Sequence, residues 1–381
     1  MMETGREKVS EKQYAYWLCC IPGVGNQSIR KLLSVCGTFE EIYKASEKVW
    51  ESVLYARQFQ AMQQRKREWD VQGEYEKLQK KGICFWWIAE PEYPTRLKNI
   101  PDAPFGIFCK GKLPEENGRS VAIIGARECS AYGRFVAASL GKLLGEEGIC
   151  VVSGMARGID SISQEAALKA GGSSVAVLGN GVDICYPAQN KEVYELLLKN
   201  GAVLSAYPPG TLPKPQNFPP RNRIVSGLAD IVVVVEARNK SGTLITVDMA
   251  LEQGKEVYVV PGRITDRLSD GCNWLLKQGA DVLLSPTDFL MEIQGMDKKS
   301  VEQQKIEQQK IEQQGMKLPP DLLSIYEAID FYPKSIQEIG DTLREKGREW
   351  SGEVSELNTA LMRLCLQNLV EQVSPGWFAK R

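Results

Sequence analysis

An α/β domain with a doubly wound parallel sheet is predicted for residues 83–293. Short runs rich in β-branched residues alternate with stretches of helical periodicity along this part of the chain. The runs are apolar throughout, as is typical of parallel strands that are buried between two layers of helices. Several of them end in glycine or a small polar residue, where a turn into the next helix is expected.

The strands and helices of this domain can be placed in chain order. Strands are predicted at residues 121–124, 149–152, 174–178, 202–204, 231–235 and 256–260. Helices are predicted at residues 132–146, from the turn at 153–160 to residue 170, at 191–199 and at 243–253. The connections between neighbouring parallel strands are expected to be right-handed.

Residues 1–80 are predicted to form a helical domain resembling sterile-alpha-motif (SAM) or helix-hairpin-helix modules. The stretch at 21–33 resembles a helix-hairpin-helix, which presents the amides of Gly23 and Gly25 to a phosphate at a helix start. Arg30 and Lys31 are suitably placed to assist, so these four residues are secondary candidates for DNA binding. The alternative is a plain helical turn in which the glycines are structural.

A linker and a small terminal module are predicted after the sheet. Residues 294–316 contain the repeat Lys-Ile-Glu-Gln-Gln at 305–309 and 310–314, which favours a solvated tether. Helices at 321–330, 335–344 and 353–367 and a hairpin-like tail indicate a winged-helix-like module at 317–381. Such modules often bind duplex DNA through the third helix. That helix offers only Arg363 as a basic residue, so a protein-contact or regulatory role is an equal alternative.

The composition excludes several classes of site. The 381 residues carry 47 Lys and Arg against 48 Asp and Glu, so the net charge is −1 and any anion site must be local. The absence of histidine excludes His-based triads and His metal ligands. The ten cysteines form no CxxC pair, so no metal or cofactor is predicted and a cytoplasmic location is expected. No apolar run approaches the roughly 18 residues of a membrane span.

Four turns after predicted strands have the composition of phosphate-binding turns. Glycine lets the backbone approach an anion, and a Ser or Thr at a helix start leaves amides free to bind phosphate. The carboxyl ends of parallel strands share one edge of the sheet, so the four turns are expected to form one phosphate-binding face. Their candidate residues are Gly125, Ala126, Arg127, Ser130, Ser153, Gly154, Arg157, Gly179, Gly181, Ser241, Gly242 and Thr243. Neither a full GxGxxG nor a GxxxxGK[ST] motif occurs, so dinucleotide enzymes and P-loop NTPases are poorly supported.

The proline-rich stretch at 214–223 is predicted to be a loop that contacts nucleic acid. A base can stack on Phe218 while Lys214, Arg221 and Arg223, beside Asn222, follow the phosphates. The alternative makes Phe218 part of the core and one arginine a buried partner of Glu236. One arginine of each kind is expected. Asp160 and Asp183 are interpreted as helix-cap or network residues, and no catalytic residue is assigned.

These motifs, in this order, resemble the DNA-processing protein A (DprA/Smf) family over residues 93–285. The matching stretches include Tyr93-Pro94, Gly125-Ala-Arg127, Ser153-Gly-Met-Ala-Arg-Gly-Ile-Asp160, Val177-Leu-Gly-Asn-Gly-Val-Asp183, Tyr186-Pro187, Tyr207-Pro-Pro-Gly210, Phe218-Pro-Pro-Arg-Asn-Arg-Ile224, Ser241-Gly-Thr-Leu-Ile-Thr246 and Val260-Pro-Gly262. Two positions depart from the family pattern. Gln164 stands where the family commonly has His, and Ala206 where it commonly has Glu.

The resemblance implies a non-enzymatic, extended Rossmann protein that binds single-stranded DNA. It also implies a homodimer that protects incoming DNA in natural transformation and loads the RecA recombinase. In the family the turn matching residues 125–127 contacts phosphates, and the residues matching Lys214, Phe218, Arg221 and Arg223 line the same pocket.

Two other function classes are weighed against this one. A nucleotide N-glycosidase of the lysine-decarboxylase-like group would carry a Gly-Gly-x-Gly-Thr-x-x-Glu motif. The nearest match, residues 240–246, lacks the paired glycine and the Glu, so a general acid or base is not placed. A pure interaction scaffold would not bind nucleic acid through the middle domain.

Overall fold

The structure is a computed structural model that describes residues 9–295, 318–345 and 354–381. These residues form two compact units. The first comprises the chain up to Glu128 together with Ala137–Leu284, and the second comprises Cys129–Val136 together with the chain from Ser285 onward. The repeat at 305–314 and the rest of the predicted linker beyond Gly295 lie outside the described residues.

The first unit begins with short helices, as the polar and apolar pattern predicts. They are α1 (Glu11–Cys19), α2 (Asn26–Cys36), α3 (Phe39–Lys44), α4 (Glu47–Val53), α5 (Ala56–Glu68) and α6 (Val71–Lys80). Trp17 and Trp50 are buried among them, and the Trp50 indole N–H donates to the Ile42 carbonyl at 2.9 Å. Tyr16 packs against Phe85 and Phe108 of the sheet, so the helices and the sheet share one core.

A mixed sheet forms the centre of the first unit. In the described part of the chain its strands are β1 (Ile83–Trp87), β2 (Gly106–Gly111), β3 (Ser120–Ile124), β4 (Cys150–Ser153), β5 (Ser174–Val177), β6 (Gly201–Ser205), β7 (Ile231–Val234), β8 (Glu256–Val259) and β9 (Asp281–Val282). Their order is β1-β2-β6-β5-β4-β3-β7-β8-β9. The strands from β6 to β9 in this order are parallel, whereas β2 pairs antiparallel with both β6 and β1. The sequence pattern did not indicate β1 or β2.

Helices connect and cover these strands. They are α7 (Thr95–Lys98), α8 (Ala131–Glu146), α9 (Ile159–Lys169), α10 (Lys191–Asn200), α11 (Phe218–Leu228), α12 (Gly242–Glu252) and α13 (Asp270–Lys277). The prediction of a loop throughout 214–223 is wrong from Phe218 onward, where α11 begins. Pro219 and Pro220 lie in the first turn of α11, where a backbone N–H has no partner within the helix, so proline is tolerated there.

Helices α8 and α9 approach each other closely at two glycines. A Cβ atom on Gly141 would overlap the Ser163 carbonyl, and one on Gly145 would lie 2.9 Å from the Ala167 Cα. The spacing of four residues places both glycines on one face of α8. The two backbones therefore pack without an intervening side chain, which fixes the position of α9 and of the turn before it.

The second unit contains α14 (Pro286–Gln294), α15 (Pro320–Ala328), α16 (Ile336–Glu345) and α17 (Val354–Leu366). A small sheet, in the order β10-β12-β11, is formed by β10 (Lys334–Ser335), β11 (Val370–Ser374) and β12 (Trp377–Lys380). The buried core of this second unit includes Leu322, Ile339, Leu361 and Phe378. Within the described ranges of both units, no helix is long and apolar enough to cross a bilayer.

Candidate functional site

A cavity of about 570 Å³ lies at the carboxyl ends of β3 and β7. From β3 the chain passes through β4, β5 and β6 on one side of the sheet, then crosses to β7 and β8 on the other. Ligands of open α/β sheets bind where the winding reverses in this way. The cavity therefore occupies the position that the fold itself favours for a ligand.

The cavity wall is formed by turns after β3, β4 and β7 and by the first turns of α11 and α12. It includes ten of the residues predicted from the sequence: Gly125, Ala126, Arg127, Gly154, Phe218, Arg221, Asn222, Ser241, Gly242 and Thr243. The sheet has thus brought together three of the four predicted turns.

The turn after β3 requires glycine at 125. A Cβ atom there would lie 2.7 Å from the Ile159 side chain and 3.1 Å from the Glu236 carbonyl. The Ile159 amide donates to the Ala126 carbonyl at 3.2 Å, so the turn is tied to the start of α9. Arg127 follows with an exposed side chain, and its guanidinium carbon lies 5.8 Å from the centre of the Phe218 ring. The turn therefore presents a cation above an aromatic ring.

The start of α12 forms the facing part of the wall. Lys240 has a φ of 64°, and Ser241 precedes the helix in an extended conformation. The Ser241 hydroxyl oxygen is buried and has no hydrogen-bond partner among the described residues. Gly242 and Thr243 occupy the first two positions of the helix, where backbone amides have no partner within the helix. This end of α12 suits an anion.

Phe218 lies partly buried at the centre of a small aromatic and cationic cluster. Its ring stacks on Tyr186, with centroids 5.8 Å apart and planes inclined by 30°. The guanidinium of Arg221 lies 5.9 Å from the centre of the Phe218 ring, and the guanidinium of Arg127 also lies close to this ring. Phe218 contributes to the cavity wall while Tyr186 remains 43% exposed, so aromatic surface is available for a base.

The two arginines of α11 have different surroundings. Arg221 is buried, donates to the Val177 carbonyl at 2.7 Å and interacts electrostatically with Asp160, a different carboxylate from the predicted Glu236. Arg223 forms an ion pair of 3.2 Å with Asp102. The structure therefore gives both side chains protein partners.

Seven predicted residues do not line the cavity: Ser130, Ser153, Arg157, Gly179 and Gly181 of the predicted turns, and Lys214 and Arg223 of the stretch at 214–223. Ser153 is buried and donates to the Ile123 carbonyl, and Arg157 is exposed elsewhere. A Cβ on Gly179 would lie 2.9 Å from the Phe218 ring, and one on Gly181 would lie 2.8 Å from the Gly210 amide nitrogen. Glycine is needed at 179 and 181 for packing against the chain at 207–218. In the second unit, the Ser130 hydroxyl accepts from the Gly133 amide at the start of α8.

A second groove, of about 900 Å³, lies between the start of α2 and the chain after β6. Gly23 and Gly25 line it together with Lys214 and Arg223. Gly23 has a φ of 81°, which favours glycine, and its carbonyl accepts from Gln58 at 2.7 Å. Arg30 and Lys31 are exposed but do not line the groove. Lys214, predicted for the cavity, thus lies in the neighbouring groove.

The departures Gln164 and Ala206 lie outside the cavity wall. Gln164 is completely buried, accepts from the Met155 amide and donates to the Ser174 hydroxyl and the Val175 carbonyl. Its hydrogen bonds join the turn after β4 to β5. Ala206 lines the groove. Asp183 accepts from the Gly210 amide at 2.8 Å, which agrees with the predicted network role.

Two cationic or aromatic residues of the cavity wall, Arg238 and Tyr186, were not predicted as site residues from the sequence. Arg238 lies four residues before Gly242 and is exposed in the wall formed after β7. Tyr186 comes from the loop after β5. A cation two residues beyond Glu236 was a usable signal for Arg238, whereas the contact of Tyr186 with Phe218 requires the folded chain. Within the described ranges no cluster of three or more Cys, Asp or Glu could hold a metal ion.

The family model of DNA recombination-mediator protein A matches residues 84–294, which is more than half of the chain. The chain belongs to the DNA recombination-mediator protein A family. Every residue of the cavity wall lies within the matched segment, so the family match covers the candidate site as well as the sheet.

Two curated relatives share this similarity over more than two thirds of their own length. DNA processing protein DprA of Streptococcus pneumoniae is 43% identical over 209 residues, covering 54% of this chain and 73% of the relative. DprA of Bacillus subtilis is 40% identical over 213 residues, covering 56% and 72%. These relatives are named as DNA processing proteins.

Two solved structures share the fold. The crystal structure of DprA from Streptococcus pneumoniae has a TM-score of 0.65 and 35% identity, covering 75% of this chain and 98% of that one. DprA from Helicobacter pylori, whose structure was described for its single-stranded DNA binding mode, has a TM-score of 0.51 and 29% identity, covering 56% and 96%. The α/β fold with its mainly parallel sheet is thus similar to the fold of these two DprA structures.

Proposed function

We propose that this protein binds single-stranded DNA in the cavity at the carboxyl ends of β3 and β7 and acts as a mediator of recombination. The observation that carries the proposal is the convergence, in one cavity, of Arg127, the start of α12 with the buried Ser241 hydroxyl, and the Phe218–Tyr186 pair. Cations and free amides suit phosphates, and stacked rings suit unpaired bases. The single-stranded DNA binding of the Helicobacter pylori relative supports the same assignment.

The small net charge agrees with a confined site. With 47 basic and 48 acidic residues, the molecule as a whole does not attract polyanions, so binding must depend on the few cations of the cavity. Binding should weaken with salt and show little base preference, because phosphates and ring faces are common to all nucleotides.

Finer parts of the proposal rest on the family. The protein would protect incoming DNA and load the RecA recombinase in natural transformation or recombination, in the cytoplasm, where RecA acts. No catalytic residue is assigned, because the carboxylates of Asp160 and Asp183 accept hydrogen bonds from backbone amides. An N-glycosidase is not proposed, since residues 240–246 supply no carboxylate.

The flanking elements are proposed as accessory modules. Residues 317–381 would form a winged helix, as their three helices and small sheet suggest. Residues 1–80 would form a SAM or helix-hairpin-helix-like domain with Gly23 and Gly25 as secondary DNA contacts, supported by their place in the groove with Lys214.

A homodimer is proposed through the edge of the sheet at β9. Large apolar side chains lie exposed on and near this edge: Ile264 at 91%, Leu284 at 75%, Trp274 at 48% and Val282 at 42%. β9 also leaves one row of backbone groups unpaired in the sheet. A second copy of the chain would cover both the apolar side chains and the strand edge.

The test is fluorescence anisotropy of labelled single-stranded and duplex oligonucleotides at low and moderate salt. We expect wild-type protein to prefer single strands, and Arg127→Ala to weaken binding by roughly 10- to 100-fold, as for loss of a charged hydrogen bond. Arg119→Ala is the matched control, since Arg119 is exposed just before β3, at the amino end of the strand whose carboxyl end meets the cavity. Wild-type protein that binds neither form would exclude the proposed function, and equal losses in the two variants would exclude the cavity as the site.

A further inference from the structure

A layer of buried polar side chains lies directly beneath the cavity. Asp160, Gln164 and Arg221 are 8%, 0% and 5% exposed, and Asp160 and Arg221 also reach the cavity wall. Buried charges are costly unless they are paired and hydrogen-bonded. These buried charges are therefore expected to have a function in the proposed DNA site above them.

Asp160 holds the turn after β4. Its Oδ2 atom accepts from the Gly154 amide at 3.1 Å and from the Ala156 amide at 3.4 Å. Between them, the Met155 amide donates to Gln164, and Met155 has a φ of 52°, unusual for a residue with a side chain. Burial raises the pKa of Asp160, whereas Arg221 and the two amides favour its ionised form.

Arg221 is held by the same turn. It donates to the Val177 carbonyl at 2.7 Å, and a Cβ atom on Gly154 would overlap its Nη1 atom. Burial lowers the pKa of Arg221 to about 10, and Asp160 favours the charged form. The guanidinium is therefore charged at neutral pH, packed on Gly154 and accompanied by the Asp160 carboxylate.

Arg221 in turn lies 5.9 Å from the centre of the Phe218 ring, one helical turn earlier in α11. Because its Nη1 is used by Val177 and its side chain is buried, it has little freedom to reach a phosphate. Its guanidinium instead lies near the aromatic ring that would meet a base.

We propose that Arg221 is a positioning residue rather than a phosphate ligand, and that Asp160 and Gly154 hold it beneath Phe218 so that the ring is oriented for an unpaired base. This inference rests on the proposed single-stranded DNA binding. It gives Asp160 a part in DNA affinity through Arg221.

The test is a double-variant cycle with single-stranded oligonucleotide affinity as the readout. Arg221→Met and Asp160→Asn are each expected to weaken binding about tenfold, within the range of one lost base–aromatic stacking contact. The double variant is expected to bind no more weakly than Arg221→Met, since Asp160 acts through Arg221. Losses that multiply in the double variant would overturn the proposal.

Salt dependence distinguishes positioning from phosphate contact. Loss of a phosphate contact lowers the slope of log affinity against log salt by about 0.7 on single strands. We expect Arg221→Met to keep the wild-type slope and Arg127→Ala to reduce it. A reduced slope in Arg221→Met would make Arg221 a phosphate ligand and overturn the inference.

Gly154→Ala provides a variant that keeps both charges. The added methyl group must displace Arg221, so binding should weaken with an unchanged slope, while the thermal midpoint shows whether the protein is folded. This variant decides the question if Arg221→Met does not fold, and wild-type affinity in Gly154→Ala would overturn the proposal. If the wild-type protein does not bind single-stranded DNA, the proposed function is overturned as well. If the wild type binds and the variants bind with the same affinity, only the positioning role is overturned.

Discussion

Arg238 is the second exposed arginine of the cavity wall, beside Arg127. Arg238→Ala should lower the slope of log affinity against log salt by about 0.7, because one phosphate contact would be lost. The measurement is a salt titration of oligonucleotide binding by anisotropy. Arg119→Ala should keep the wild-type slope. An unchanged slope in Arg238→Ala would show that this side chain lies in the wall without touching the strand.

The candidate site was predictable from sequence as far as local turn chemistry defines it. Glycine and arginine after β3 and the hydroxyls at the start of α12 indicated an anion site, and both turns line one cavity. Gly179 and Gly181 also follow a strand, but glycine is required there because a neighbouring segment of the chain packs closely against them. Sequence pattern cannot separate a glycine that admits a ligand from one that admits a neighbouring chain, because the partner comes from a distant segment.

At the scale of elements, the contact between α8 and α9 depends on the glycines. Gly145→Ala should destabilise the protein by about 1–3 kcal/mol, because the added methyl group meets the backbone of Ala167. This cost exceeds the gain of up to about 1 kcal/mol in helix propensity. The measurement is the urea midpoint followed by circular dichroism. Lys142→Ala, at an exposed position of the same helix, should leave the midpoint nearly unchanged, and an equal midpoint for both variants would contradict the close packing.

The elements of the parallel sheet were predictable because each carries its own signal. Each predicted strand from 121–124 to 256–260 overlaps an observed one with ends that agree to within one residue. Helix α11 was missed because consecutive prolines suggest a loop, and only the position of a helix start makes them acceptable. Strands β1 and β2 were missed because each carries only one β-branched residue, Ile83 in β1 and Ile107 in β2. Antiparallel pairing of β2 with β6 spans about a hundred residues, which no local pattern records.

At the scale of the whole molecule, the exposed apolar side chains near β9 predict self-association. Trp274→Glu combined with Leu284→Glu should convert a dimer into a monomer, because charges would be buried without partners at the interface. The measurement is molar mass by light scattering after gel filtration. Leu212→Glu, at a residue 64% exposed in the loop after β6, should remain dimeric. A monomeric wild type at micromolar concentration would exclude the proposed dimer.

The segment that separates the cavity from the groove has a consequence for both. Phe218, Arg221 and Asn222 face the cavity, while Asn217 and Arg223 face the groove. One turn of helix is thus a common wall with two sides. Anything bound in the groove that shifts this turn changes the free energy of binding in the cavity, and thermodynamic reciprocity requires the reverse effect to be of equal size. Whatever occupies the groove is therefore an effector of the cavity to the extent that it moves this turn.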